Sequence, residues 1–178
     1  SCASVSVVMS VQNSIVCESL YKFGTEDQKK EYLVPLASGE MIGAFALTEP
    51  EAGSDPVSQE TTAHQDGDDY VINGTKRFIT SGLNSKVVLV TAKTDPDAGH
   101  KGISAFIVPK DTPGLIVGHL EDKMGLRASD TTDLIFENCR VPASQMLSQA
   151  GDGFKIAMSG LDAGRIGIAS QALGIAEA

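Results

Sequence analysis

Positive charge is scarce in this sequence. Its 178 residues carry 14 lysines and arginines against 23 aspartates and glutamates, a formal charge of -9. Neutralising phosphates needs a basic surface, so a nucleic-acid partner is argued against. Long apolar runs are missing too: nothing approaches the roughly 20 apolar residues of a transmembrane span, and no secretory-leader pattern is read at the start. The cysteines Cys2, Cys17 and Cys139 are odd in number and show neither zinc-like spacing nor a Cys-x-x-Cys pair. That points to a reducing intracellular compartment and to structural thiols. His64, His100 and His119 stand singly, with no partner spacing for a metal or a triad. The acidic stretches Asp66 to Asp69 and Asp95 to Asp97 lack the calcium-loop pattern and read as hairpin turns.

A hydrophobic content of 42% suits a globular protein with one good core or two small ones. The opening SCASVSVVMS lies already inside an apolar pattern, and the closing GIAEA lies inside a helical one. The chain therefore reads as an internal piece of a longer protein.

Residues 1–38 read as helical. Val8, Val11, Ile15, Val16, Leu20 and Phe23 fall near a 3.6-residue period, with Gly24 as a stop. Thr25 and Gln28 have capping-box spacing for a second helix, which Pro35 and Gly39 are expected to end. From Met41 the period changes. Seven short β-rich runs follow (MIGAFAL, YVING, KRFIT, KVVLVTA, ISAFIV, LIVGHL and TDLIFEN), and Asn73-Gly74 is a hairpin signal between two of them. Runs of this kind with no helix between them predict an antiparallel barrel or sandwich. At Gly151 a helical period returns, with Gly160, Gly164, Gly167 and Gly174 inside it. Glycine weakens an exposed helix by about 1 kcal/mol against alanine, so these imply close packing or a ligand against the backbone. The expected fold class is α+β: helices over 1–38, a β-domain over 39–150 and a helix over 151–178.

One stretch resists a loop reading. In FALTEPEAGSD, Phe45 to Asp55, an apolar strand-like run ends on the hydroxyl of Thr48, and Gly53 and Ser54 follow. Such an edge presents backbone N–H groups and hydroxyls together, and Gly53 permits close approach, which suits a flat heterocycle. A strand followed by an ordinary turn is the plainer alternative. Glu49 and Glu51 lie in that turn, where a pair of carboxylates is expected to be solvated rather than catalytic.

The stretch ALTEPEAGSDPVS resembles the signature of the acyl-CoA dehydrogenase family at Ala46, Leu47, Thr48, Glu49, Gly53, Ser54, Asp55 and Ser58. GDDYVINGTKRFITSG, KGISAFIVPKDTPGL, KMGLRASDTTDLIFENCRVP and GFKIAMSGLDAGRIGIASQALGIA resemble later blocks of that family in order, nearest its short-chain (butyryl-CoA) branch. The resemblance implies a central antiparallel β-barrel domain. It would be preceded by the end of an N-terminal helical domain and followed by the first helix of a C-terminal four-helix bundle.

What the resemblance implies for function is specific. Family members use FAD to oxidise an acyl-CoA thioester to its trans-2-enoyl form, a glutamate taking the α-proton while a hydride passes to flavin N5. By similarity Phe45, Ala46, Leu47, Thr48, Gly53 and Ser54 form one flavin-holding edge, and Phe78, Ile79 and Thr80 form the other. Phe78 stands where tryptophan is common. Ser54, Asp162, Ala163, Gly164 and Arg165 match positions that contact the CoA substrate, although Arg165 taken alone would read as a surface cation. Gly164 occupies the place where branched-chain members carry the glutamate, so the catalytic base is expected beyond Ala178. The resemblance further implies a homotetramer, electron-transferring flavoprotein as acceptor, and bacterial cytoplasm or mitochondrial matrix as the location. An acyl-CoA oxidase on the same fold and a non-catalytic acyl-CoA- or flavin-binding module are the alternatives.

Overall fold

A computed structural model describes residues 2–177. The first helical rod comprises α1 (Ala3–Val11), a π-helical stretch (Gln12–Cys17) and α2 (Glu18–Phe23), and the chain turns extended at Gly24 as expected. Thr25 then forms the anticipated capping box. Its hydroxyl accepts from the Gln28 N–H at 3.2 Å, and Gln28 Oε1 accepts from the Thr25 N–H at 3.0 Å, opening α3 (Glu26–Gln28). Pro35 does not end this second rod. A π-helical stretch (Lys29–Leu33) widens the turn ahead of it, with the Val34 N–H bonded back to the Lys29 carbonyl, and α4 (Val34–Ser38) carries the proline in its first turn. A missing N–H is tolerated there. The terminator is Gly39 alone, left-handed at φ 81°.

Eight strands follow: β1 (Gly43–Ala46), β2 (Thr62–Asp66), β3 (Asp69–Thr80), β4 (Val87–Lys93), β5 (Ile103–Pro109), β6 (Leu115–Leu120), β7 (Thr131–Pro142) and β8 (Met146–Leu147). They form one sheet in the order β6-β7-β3-β2-β4-β5-β8, with β1 on β4. The ladders are antiparallel except where β1 and β2 meet β4. Asn73-Gly74 is not a hairpin. The turn lies at Gly67, between β2 and β3, and β3 runs straight through Asn73 and Gly74 beside a bulge in β7. Gly74 is needed there: its φ is 150°, and a Cβ would meet the Thr61 side chain at 2.4 Å. YVING and KRFIT are therefore one strand, while β2 and β8 were not legible as strands.

The sheet wraps an inner core. Ala44, Ala46, Ile72, Ile79, Val88, Val90, Phe106, Val108, Leu134 and Phe136 cluster together from five strands. The alternate residues of the central pair, Val87, Leu89, Ala105 and Ile107, pack outward onto Val16, Leu20, Leu36 and Ile156 of the helices. Burial on both faces explains why β4 and β5 read as continuous apolar runs. Gln12 fastens the helices to the start of β1: its Nε2 donates to the Leu36 and Met41 carbonyls at 2.8 and 2.7 Å, and its Oε1 accepts from the Gly43 N–H at 2.8 Å.

The last helix, α5 (Gly153–Glu177), lies against α1 and the π-helical stretch after it. Three of its glycines are closely packed. A Cβ at Gly160 or Gly164 would come within 3.3 Å of Ile15, and one at Gly167 within 2.9 Å of Ser10 Oγ, whereas Gly174 has nothing within 4 Å. No helix among the described residues is long and apolar enough to cross a membrane.

Candidate functional site

The first edge begins in β1. Phe45 is half-buried and packs towards the helices, while Ala46 points into the inner core. Strand pairing stops there, and Leu47 and Thr48 lead into a tight turn. Glu49 and Ala52 close it by exchanging backbone bonds of 3.0 and 3.2 Å. Gly53 and Ser54 follow on the surface, and a Cβ on Gly53 would meet nothing within 4 Å. The bare backbone at Gly53 thus faces open space.

The second edge is the end of β3. Between Lys76 and Ile79 the strand holds one residue more than β7 opposite, where Lys76 pairs with Leu134 and Ile79 with Thr132. A bulge of this kind redirects side chains. Up to Lys76 the even-numbered residues face the core, and after the bulge the odd-numbered Ile79 does. Phe78 is turned out of the fold, 57% exposed, with a left-handed φ of 57°. That region is costly for a bulky residue, and such strain gathers at functional sites. The Arg77 guanidinium lies 5.5 Å from the Phe78 ring centroid, and Thr80 is half-buried.

The two edges are joined. The Arg77 N–H donates to the Thr48 carbonyl at 2.7 Å, and Lys76 Nζ donates to the Leu47 carbonyl at 3.0 Å. Lys76 is the centre of a buried polar node. Its three N–H groups are shared between the Leu47 carbonyl and three side-chain oxygens, Glu49 Oε1 at 2.7 Å, Gln59 Oε1 at 3.0 Å and, longest, Thr91 Oγ1 at 3.3 Å. Glu49 in turn accepts from the N–H groups of Glu60 and Thr61. Burial pushes Lys76 down to about 8, against the upward pull of Glu49. Burial pulls Glu49 up, but the charge and hydrogen bond of Lys76, aided by the bonds from Thr61 and Glu60, outweigh it and hold the carboxyl below its usual value.

The expectation of a solvated carboxylate pair thus fails for Glu49 and holds only for Glu51, which is exposed. Lys76 was missed. Its signal was present: the alternation from Ile72 through Gly74 sets a lysine on the core side of a strand, and such a charge needs a buried partner.

The hydroxyls of Thr48, Ser54 and Thr80 have no protein hydrogen-bond partner among the described residues. On α5, Arg165 pairs with Asp162, both largely exposed, and Gly164 lies over Ile15. Hydrogen bonds tie the two edges to each other. Among the described residues none ties Asp162 or Arg165 to either edge. Cys17 and Cys139 are buried and Cys2 is exposed, all three free.

Fold and site define an α+β protein whose mostly antiparallel sheet, flanked by helices, offers two joined edges with free hydroxyls and an exposed aromatic plate. Residues 44–139 match the description "Acyl-CoA dehydrogenase, middle domain", and residues 1–40 match "Acyl-CoA dehydrogenase, N-terminal domain". The chain belongs to the acyl-CoA dehydrogenase family. It is 53% identical over 177 residues, 99% of its length, to the short-chain specific mitochondrial acyl-CoA dehydrogenase of Rattus norvegicus. Butyryl-CoA dehydrogenase from Megasphaera elsdenii matches with a TM-score of 0.96 and 49% identity over 98% of the chain. A solved chain described under "Electron transferring flavoprotein of Acidaminococcus fermentans" matches at 0.95 and 52% over 96%. The chain spans less than half of each of these proteins: 43%, 46% and 45% respectively.

Proposed function

We propose that these residues form the flavin-holding part of an FAD-dependent acyl-CoA dehydrogenase that converts short-chain acyl-CoA thioesters to trans-2-enoyl-CoA. The observation that carries this reading is the junction of the two edges through Arg77 and Thr48. Stretches far apart in sequence thereby present Leu47, Thr48, Phe78 and Thr80 on neighbouring backbone.

The residues fit a flavin. Thr48 and Thr80, both half-buried, supply hydroxyls, Phe78 supplies an apolar plate, and Gly53 leaves its backbone approachable. Phe45, Ala46, Leu47, Thr48, Gly53 and Ser54 would hold one side of the ring system, and Phe78, Ile79 and Thr80 the other. Bound FAD would supply a centre that accepts a hydride. Ser54 and the stretch Asp162, Ala163, Gly164 and Arg165 are assigned to the CoA portion of the substrate.

Removing the α-proton requires a carboxylate with its lone pairs free. Glu49 is committed to Lys76 and to two backbone N–H groups, and glycine occupies position 164. Branched-chain members of the family carry the glutamate at the position of Gly164, and by that resemblance we assign the base to a glutamate outside these residues. Residues 1–38, 39–150 and 151–178 are taken as the end of a helical domain, the central domain and the first helix of a C-terminal bundle. A homotetramer passing electrons to electron-transferring flavoprotein completes the reading, in a bacterial cytoplasm or a mitochondrial matrix.

Anaerobic titration of the full-length parent protein with butyryl-CoA tests this. Bleaching of the oxidised flavin's visible band is the expected result. Bleaching only with longer or branched acyl-CoAs overturns the short-chain assignment alone. No bleaching with any acyl-CoA overturns the dehydrogenase reading, and rapid peroxide formation in air would assign an oxidase instead.

A further inference from the structure

We propose that Lys76 is a positioning residue for the cofactor: its buried ammonium fixes the Leu47 carbonyl, and with it the Leu47–Thr48 edge on which the flavin is held. The inference rests on the flavin reading above and concerns a residue buried behind that edge rather than on it.

The segment carrying Gly53 and Ser54 leaves the sheet after Ala46 and rejoins it at Thr62, with Glu49 near its start and Gln59 to Thr61 at its end. Both ends are bound at the same node. Glu49 Oε1 and Gln59 Oε1 accept from Lys76 Nζ at 2.7 and 3.0 Å, and Thr61 N–H donates to Glu49 Oε1 at 3.1 Å. From β4, Thr91 Oγ1 accepts from Lys76 and donates to Gln59 at 3.0 Å. The segment between these ends is largely exposed, with Glu51, Gly53, Ser54 and Asp55 on the surface. Its position relative to Phe78 and Thr80 is therefore set by the node and by the Arg77–Thr48 bond.

Stability does not account for this design. Well-packed apolar side chains of similar volume commonly stabilise a fold as well as a buried ion pair does. They would not hold a carbonyl and two loop ends at fixed points. A directional, fully bonded cation does, because each acceptor must lie within hydrogen-bond reach of one nitrogen.

The test uses full-length protein and FAD. Lys76→Met combined with Glu49→Gln removes both charges at similar volume, so the fold is expected to survive. FAD dissociation and the visible spectrum of the bound flavin are then compared with wild type. The expected result is FAD affinity weakened by about tenfold or more, the scale of one lost charge-assisted hydrogen bond, with an altered flavin band shape. Should the double variant fail to fold, Thr91→Val, isosteric and remote from the edge, is measured in the same way, with a shifted flavin band expected. A folded variant with wild-type FAD affinity and an unchanged flavin spectrum overturns the inference. Wild-type protein that holds no FAD overturns the flavin reading and this inference with it.

Discussion

Lys76 Nζ lies 2.7 Å from Glu49 Oε1, with the two side chains 0% and 4% exposed. Each charge is tolerable there because of the other. Removing one partner leaves an unpaired ion in the interior, which costs about 3–5 kcal/mol, whereas neutralising both costs far less. Lys76→Met alone is expected to lower unfolding free energy by that amount, and adding Glu49→Gln to recover most of it. Urea denaturation of the three proteins checks this, and equal losses in the single and double variants would refute it.

The same pair predicts an acid limb. The folded chain holds Glu49 below its usual carboxyl value, where Lys76 and backbone donors outweigh burial. A lowered folded pKa means that the unfolded chain binds the proton first as pH falls. The stabilising contribution is complete above the ordinary value of 4.5 and is lost as pH drops through the folded value. Glu49→Gln is expected to flatten the fall in stability below pH 4.5, read from acid titrations of both proteins.

Phe78 separates stability from binding. Its left-handed backbone costs about 1–2 kcal/mol for a side chain with Cβ, and glycine would relieve this while adding chain entropy to the unfolded state. Phe78→Gly is expected to leave the melting temperature near wild type and to weaken FAD binding in the full-length protein. A large loss of stability with unchanged FAD affinity would make Phe78 a packing residue only.

Gly153 opens α5 against β5. A Cβ there would stand 2.5–2.8 Å from the backbone of Ser104, which has no rotamer to yield. Gly153→Ala is expected to cost about 1–3 kcal/mol, the range for overpacking a tight contact, measured by thermal unfolding.

Cys17 and Cys139 are buried, and burial raises both thiols, Cys139 to about 11. Thiolates are the reactive form, so neither should react with an aromatic disulfide reagent in native protein. Both should react on unfolding in guanidinium, while Cys2 reacts at once. Rapid native labelling at position 17 or 139 would contradict the packing described.

Much of this protein was legible one residue at a time. The capping box at Thr25 and the helix stops at Gly24 and Gly39 rest on local chemistry, and the structure retains all three. The alternation of helical and β periods fixed the order of parts, because each period records which residues share a face. The edge residues were read from a family signature.

Where the sequence misled, distant residues had intervened. Asn73-Gly74 carries a hairpin signal, yet Thr61 crowds Gly74 and Asn138 donates its N–H to Asn73 Oδ1 at 2.8 Å, so the pair lies within a long strand. Pro35 sits inside a helix because a π-turn precedes it. The glycines of α5 suggested packing or ligand contact alike, and Ile15 and Ser10 pack against Gly160, Gly164 and Gly167.

Composition and period determined the order of helical and β parts, since those depend on neighbours in the chain, and the two candidate edges came from resemblance to a family signature. Only the tertiary structure decided that the edges touch and that Glu49 is an interior ion. It also put a strand lysine within hydrogen-bond reach of the Leu47 carbonyl, Glu49 and Gln59. Those facts depend on which distant groups share one nitrogen's hydrogen-bond sphere, and no local pattern encodes that.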